Sequence, residues 1–188
     1  ATGDGGVGDV GGVGRDKLTV AEVLKEEEAT FFSELLTPNI LAILEQQFTI
    51  ELGPLTAHYG GALRVFAISN GGFYFQITAN HADVRWTGAW MSFEGLKIQT
   101  VSIAATLRSL DIVADLPVCI ESKRYLDTLR YHLCSYVLQR ADCDEIMMAA
   151  IAGPCEPLPS LERVVARVKA SSAATVTPIL SLRKMHEY

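Results

Sequence analysis

Four histidines (His58, His81, His132, His186) and four cysteines (Cys119, Cys134, Cys143, Cys155) are the side chains of this sequence best suited to act as base, nucleophile or metal ligand. Their spacing argues against all three roles. No two cysteines form a CxxC pair, and a zinc site needs closer ligand pairs, so no metal site is expected. His81 and Asp83 are two apart and would share a face of a strand, which reads as a surface turn feature. His132 and Cys134 are also two apart, and on a helix that spacing puts them on different faces, a poor start for a thiolate–imidazole nucleophile. Gly6, Gly8 and Gly11 spell GxGxxG. That pattern cradles a dinucleotide only between a strand and a helix, and no strand precedes it here. Neither a phosphate-binding loop, a nucleophile elbow nor a zinc-protease motif occurs. We therefore expect no catalytic residues, no cofactor and no metal. The cysteines are expected as free thiols in or near an apolar core.

Charge narrows the partners. The formal net charge is −6. Residues 1–60 carry ten acids and three bases, residues 61–156 ten and eight, and residues 157–188 two and five. Nucleic acid is held by clustered Lys and Arg that displace counterions. The central part has no such cluster, so no direct nucleic-acid binding is expected. With no basic, apolar N-terminal segment and no apolar run of membrane-spanning length, the expected location is the cytoplasm.

The elements that must position any site follow from periodicity. Residues 1–16 are a Gly/Val/Asp stretch, expected to be a disordered leader. Residues 17–153 are expected to form one α+β domain, and residues 154–188 a C-terminal extension. Thr19 to Leu36 predicts a helix, with Thr19 as cap and Glu22 completing a capping box. Asn39 to Gly53 predicts a second helix, ended by Gly53-Pro54. The period then changes to two. Leu63 to Ile68 and Phe73 to Thr78 alternate around Ser69-Asn70-Gly71-Gly72, and Asn-Gly between β-forming runs predicts a hairpin because both residues tolerate positive φ. Phe73 and Phe75 should then face one way and Tyr74 the other. Asp83 to Thr87 predicts a third strand, and Gly88 to Trp90 either extend the sheet or cross to the next element.

Ser92 is a plausible N-cap for a helix through Leu110, with Glu94 in its first turn. The sequence leaves open a start nearer Thr100, with Lys97 to Ser102 as strand. Glu121 to Arg140 predicts a helix, and Asp142 or Cys143 opens a shorter one through Ala152, closed by Gly153-Pro154. Leu161 to Ala170 has the pattern of a short amphipathic helix beyond Pro157 and Pro159. The fold class is α+β: an antiparallel sheet of three to four strands with helices packed on one side.

Several blocks of residues carry a resemblance. Tyr59-Gly60-Gly61 and Phe66-Ala67-Ile68-Ser69-Asn70-Gly71-Gly72-Phe73-Tyr74 follow the order Y-x-G-G, short strand, L-S-N-G-G-F-Y. Ile103 to Leu110 is similar to a helix reading I-V-A-T-L-F-A-L. Tyr131-His132-Leu133 with Tyr136, then Asp144 to Met147, follows a Y-H-x-L segment and an acidic-apolar ending. Over residues 38–152 the chain thus resembles the plasmid antirestriction proteins of the ArdB/KlcA type, as a distant member. It departs from them at Ala62-Leu63, where Tyr-Trp is usual, and at Phe75-Gln76-Ile77, where Met-Ala-Pro is usual.

The resemblance implies a non-enzymatic protein that relieves host type I restriction of incoming plasmid or phage DNA. It implies a host type I restriction complex, or a host protein associated with it, as partner. Tyr59, Gly60, Gly61, Ser69, Asn70, Gly71, Gly72, Phe73 and Tyr74 are the motif residues, structural or interacting. Trp86 and Trp90, near Phe93, are candidate anchors for a protein partner, and the C-terminal extension is a candidate surface for a second copy. Three rivals stand beside this reading. One is a peptide- or small-ligand-binding module with an apolar groove. Another is a DNA mimic using an acidic helix over Glu22 to Glu34. The third is a hydrolase whose His, Cys or Ser side chains converge from distant positions.

Overall fold

The computed structural model describes residues 16–52, 62–78, 83–87 and 92–153, without the side chains of 83–87, 92 and 93. Strand β1 (Val20–Val23) is followed by the one-and-a-half-turn helix α1 (Glu28–Ser33) and by α2 (Pro38–Glu51). Strands β2 (Leu63–Ile68) and β3 (Phe73–Ile77) form the hairpin, and β4 (Asp83–Thr87) pairs with β5 (Ser92–Lys97). Helix α3 (Ile98–Ala114), a 3-10 segment (Pro117–Ser122), α4 (Lys123–Val137) and α5 (Cys143–Ala152) complete the described chain. All pairings are antiparallel, in a three-stranded sheet ordered β1-β2-β3 and a two-stranded sheet of β4 and β5. The α+β class and an antiparallel sheet of three strands agree with the sequence pattern, but the third member is Val20–Val23. Asp83–Thr87, predicted as the third strand, pairs with Ser92–Lys97 in a separate sheet, and helices meet both faces of β3 and not one.

Two further expectations are corrected. The helix predicted over Thr19 to Leu36 is a strand, a turn and a short helix. Val20 to Val23 pair with Val65 to Ile68 in β2, and Thr19 and Ser69 exchange two hydrogen bonds, N–H to Oγ and N–H to carbonyl. Glu22 then meets Arg64 across the sheet as an ion pair instead of capping a helix. Tertiary pairing has overridden the helix preference of the Glu-rich segment. The helix predicted from Ser92 begins at Ile98, and Ser92–Lys97 is strand. Gly95 sits at φ 72°, outside the helical region, and the register slips there: Val84 faces Leu96, but Trp86 faces Phe93. Two residues of β5 therefore oppose one of β4, a glycine bulge that ends any helical run. The structure chooses neither of the two starts read from sequence. Smaller changes are a 3-10 turn in place of the first residues of the Glu121 helix and an end at Val137.

Helix α2 opens at Pro38, whose missing N–H costs nothing at the first helical position, and Thr37 Oγ1 accepts from Ile40 N–H. Helix α3 is the centre of the molecule. It packs against α2, α4, α5 and β3 and is buried on nearly every side, from Thr100 through Ala114. A helix apolar all round belongs in a core. Its small residues, Ser102, Ala104, Ala105, Thr106 and Ser109, let neighbouring backbones come close.

β3 is approached from several directions. Phe73 and Phe75 meet Phe32 of α1 edge-on or tilted, and Phe75 meets Phe48 of α2 at 5.2 Å between centroids. On the opposite face Tyr74 stacks between Phe66 and Tyr136 of α4. The edge of β3 is closed by α3: Phe75 N–H donates to Thr106 Oγ1 at 3.1 Å, and Thr106 Oγ1 donates to the Ser102 carbonyl at 2.9 Å. A side-chain hydroxyl thus takes the place of a fourth strand at an edge that would otherwise leave a buried amide unpaired.

Candidate interaction site at the hairpin and the Tyr74 network

The Ser69–Gly72 turn is a three-residue loop with a glycine bulge. Gly71 N–H donates to the Ile68 carbonyl at 2.9 Å and Ile68 N–H to the Gly72 carbonyl at 2.8 Å, so two residues oppose one. Gly71 has φ 87°, while Asn70 keeps negative φ. The hairpin forms as the Asn-Gly signal predicts, but only the glycine takes the left-handed conformation.

Asn70 has a different task. Its Oδ1 accepts from Gly72 N–H at 3.0 Å, and its Nδ2 donates to the His132 carbonyl at 2.8 Å in the middle of α4. The turn lies directly on that helix. A Cβ at Gly72 would stand 2.9 Å from His132 Cβ, and one at Gly71 3.6 Å from His132 Nδ1. Ser69 ties the other side of the turn to Thr19. The four motif residues Ser69, Asn70, Gly71 and Gly72 therefore clamp β1, the hairpin and α4 together. Phe73 is wholly interior.

Tyr74 carries the motif toward the surface. Its ring lies nearly parallel to that of Tyr136, 6.1 Å away, and its hydroxyl accepts from Gln99 Nε2 at 2.7 Å. Gln99 Oε1 accepts from Arg140 Nη2 at 3.2 Å. Arg140 also donates to Tyr136 Oη at 2.9 Å and lies over that ring, and it grips Asp142 with Nε and Nη2 at 2.7 and 2.9 Å. Thr100 Oγ1 donates the other bond to Asp142, at 2.6 Å. Burial opposes the charge on Asp142, but the bonds from Arg140 and Thr100 outweigh it and hold the carboxyl below its ordinary range. Burial pushes the Tyr74 hydroxyl up, only partly offset by the bond from Gln99.

The outer end of this network floors an open pocket of about 640 Å³ lined by Lys17, Lys97, Gln99, Arg140, Asp142 and Glu145. Charges of both signs stand at its mouth. The polar side chains of the network are tied to one another by these bonds, so the arrangement holds a fixed shape and charge pattern.

Among the described residues, His132 and the cysteines form no common cluster. His132 lies under the hairpin turn with Nδ1 buried and without a hydrogen-bond partner. Burial pushes the thiols of Cys119 and Cys134 up, away from the reactive thiolate. Cys119, Cys134 and Cys143 are free. Among the described residues no group of three or more His, Cys, Asp and Glu could hold a metal, and no helix is long and apolar enough to cross a membrane. Tyr59, Gly60, Gly61 and Trp90, with His58, His81, His186, Cys155, the 1–15 leader and the Leu161 to Ala170 segment, lie outside the described residues. Trp86 is placed only by its backbone in β4. The continuous acidic helix over Glu22 to Glu34, on which a DNA mimic would depend, does not form.

Sequence reading missed the network's other members: Gln99, Thr100, Arg140 and Asp142 have no local pattern that joins them. It also missed a buried ionic tie between α2 and α3. Glu51, fully buried, faces Arg108 with Oε2 and Nε 2.8 Å apart but misaligned for a hydrogen bond, and accepts from Gln47 Nε2 at 2.8 Å. Burial pushes the Glu51 carboxyl up, against the pull of Arg108 and Gln47. This tie is interior and structural.

No protein-family model matches the chain, and no curated protein matches it. Among solved structures, that of the KlcA and ArdB proteins superposes with a TM-score of 0.62 at 20% identity, covering 74% of this chain and 99% of the other. Those proteins are described as having a novel fold and antirestriction activity against type I DNA restriction systems in vivo but not in vitro. At that identity the likeness establishes architecture: this chain has the KlcA/ArdB fold.

Proposed function

We propose that this chain relieves type I restriction of incoming DNA by contacting a protein, without catalysis. The observation that carries the reading is the shared fold spanning 99% of the KlcA/ArdB structure. The motif that first suggested the likeness is the clamp between hairpin and α4, and it ends in the Tyr74 network below the mixed-charge pocket. For the KlcA and ArdB proteins the activity appears in vivo but not in vitro. A like protein would need a cellular component beyond the restriction enzyme and its DNA, so the partner is a host protein associated with the restriction complex, or that complex in its cellular state. A net charge of −6 without a basic cluster gives little counterion release on duplex DNA, so direct DNA contact has no part in the proposal. The test is transformation by unmodified plasmid of cells that carry an active type I system. Expression of the chain should raise the yield toward that of modified plasmid. An unchanged yield with soluble protein present would overturn the reading.

A second reading has one observation in its favour. An apolar groove of about 650 Å³ runs between α1, the start of α2 and the N-terminal end of α4, lined by Leu35, Leu36, Leu41 and Tyr125. A peptide-binding module would use it, and the groove lies apart from the motif residues.

A further inference from the structure

We propose that the outer edge of β1 is a docking site for an extended, lysine- or arginine-bearing segment of a partner protein, which joins the sheet as an added strand. In an antiparallel pair, residues alternate between exchanging hydrogen bonds with the neighbouring strand and turning those groups away from it. The phase in β1 is fixed at Thr19, whose carbonyl accepts from Ser69 N–H. It is fixed again in β2, where Ile68 N–H donates to the Gly72 carbonyl, away from β1. With Ala21 opposite Ala67 and Val23 opposite Val65, these two residues bond to β2. Leu18, Val20 and Glu22 therefore turn their backbone groups to the outer edge.

That edge is closed at one end. Leu18 N–H donates to Gln139 Oε1 at 2.9 Å. Among the described residues, nothing hydrogen-bonds to the outward N–H and carbonyl groups of Val20 and Glu22. The opposite edge of the same sheet is covered at Phe75 by Thr106. β1 carries no lysine, proline or bulge of the kind that blunts an exposed edge. Edges of this kind receive extended peptides through main-chain hydrogen bonds, with side-chain pockets setting the choice.

The side chains beside the edge say what the occupant is. A crevice of about 470 Å³ lies there, lined by Ala21, Val23 and Phe31 and by Glu22, Glu26 and Glu27. Ala21 is small, which leaves room next to Phe31 for an apolar side chain of the added strand. Glu22 is paired with Arg64, but among the described residues no ion pair engages Glu26 or Glu27, and both are exposed. Basic side chains complement them. A second copy would set the same acids against each other, and like charges opposed across strands destabilise pairing. The proposal goes beyond the antirestriction reading and does not rest on it.

The experiment uses the full chain at physiological salt and a fluorescein-labelled octapeptide in which valine and threonine alternate between paired lysines. Fluorescence anisotropy should show saturable binding, and the same peptide with glutamates for lysines should bind at least tenfold more weakly. Val20→Pro removes an outward N–H and spares the bonds of Ala21 and Val23 to β2, since proline is tolerated on edge strands. It should weaken binding of the basic peptide at least tenfold, while slow hydrogen exchange in α3 reports an intact core. Glu26→Lys/Glu27→Lys should reverse the preference between the two peptides. In wild type the basic peptide should slow amide exchange at Val20 and Glu22 at least tenfold. The proposal is overturned if the basic peptide does not bind, or binds without slowing exchange at Val20 and Glu22. It is also overturned if Val20→Pro, with α3 protected, binds as wild type does. A dimer of the chain that Val20→Pro dissolves would assign the edge to a second copy and overturn it equally.

Discussion

Replacing Gly72 with alanine adds one methyl group where the hairpin rests on α4. That methyl carbon would stand 2.9 Å from His132 Cβ, 3.1 Å from Asn70 Oδ1 and 3.4 Å from the His132 carbonyl carbon. Ordinary carbon contacts lie near 3.5–4.0 Å. Both β-carbons are fixed to backbone, so no rotamer change relieves the overlap. The hairpin must lift from α4 by more than half an ångström, which stretches the 2.8 Å bond from Asn70 Nδ2 to the His132 carbonyl. Gly72 does not have positive φ, so the cost is steric and not conformational. Overpacking of this kind costs about 1–3 kcal/mol. Urea unfolding should show a lower midpoint for Gly72→Ala with an unchanged slope. His132→Gly removes the main obstacle at a helix cost of about 1 kcal/mol, and in that background Gly72→Ala should cost less than half as much. A Gly72→Ala protein within about 0.5 kcal/mol of wild type, or an equal cost in both backgrounds, would refute the contact between turn and helix.

Three further outcomes follow from the same geometry. Gly71→Val forces a β-branched residue to φ 87° and should cost about 1–3 kcal/mol in denaturant unfolding, more than Phe93→Leu. Thr106→Val keeps the shape but leaves the buried Phe75 N–H without its acceptor, so a loss of about 1–3 kcal/mol is expected, with Thr106→Ser close to wild type. The Asp142 carboxyl is held below its ordinary range, so its contribution is fully present above the unfolded value near 3.9 and is lost as pH falls through the lower folded value. Melting temperatures of wild type and Asp142→Asn should differ at pH 7, begin to converge as pH falls below about 3.9, and meet only below the depressed folded-state value.

How far the sequence could be read depends on where each element finds its partners. The hairpin was legible because its turn chemistry is local to Ser69–Gly72, and the alternation of Phe73, Tyr74 and Phe75 is local too. Helices α2, α4 and α5 announce themselves by period, and α2 and α5 also by a proline or glycine end. β1 was not legible. Glu22 and Glu26 to Glu28 read as helix, and the strand exists because Ser69, 50 residues away, pairs with Thr19. In Ser92–Lys97 a signal was present and passed over: Gly95 in the interior of a supposed helix marks the bulge.

The candidate site divides in the same way. Its motif residues were found from sequence, but what they do depends on contacts no spacing shows. Asn70 reaches His132 across 62 residues, Tyr74 reaches Gln99 across 25, and Thr100 reaches Asp142 across 42. The role of Thr106 at the edge of β3 was equally hidden, although the residue lies in the helix that carried part of the resemblance.

The central claim, protein-mediated relief of restriction, is tested most directly by the plating of unmodified phage, relative to modified phage, on cells with an active type I system. Expression of the chain should raise that ratio, and Cys134→Ala should raise it equally, since no nucleophile takes part. An unchanged ratio against several type I systems, with the protein soluble in the cells, would contradict the account.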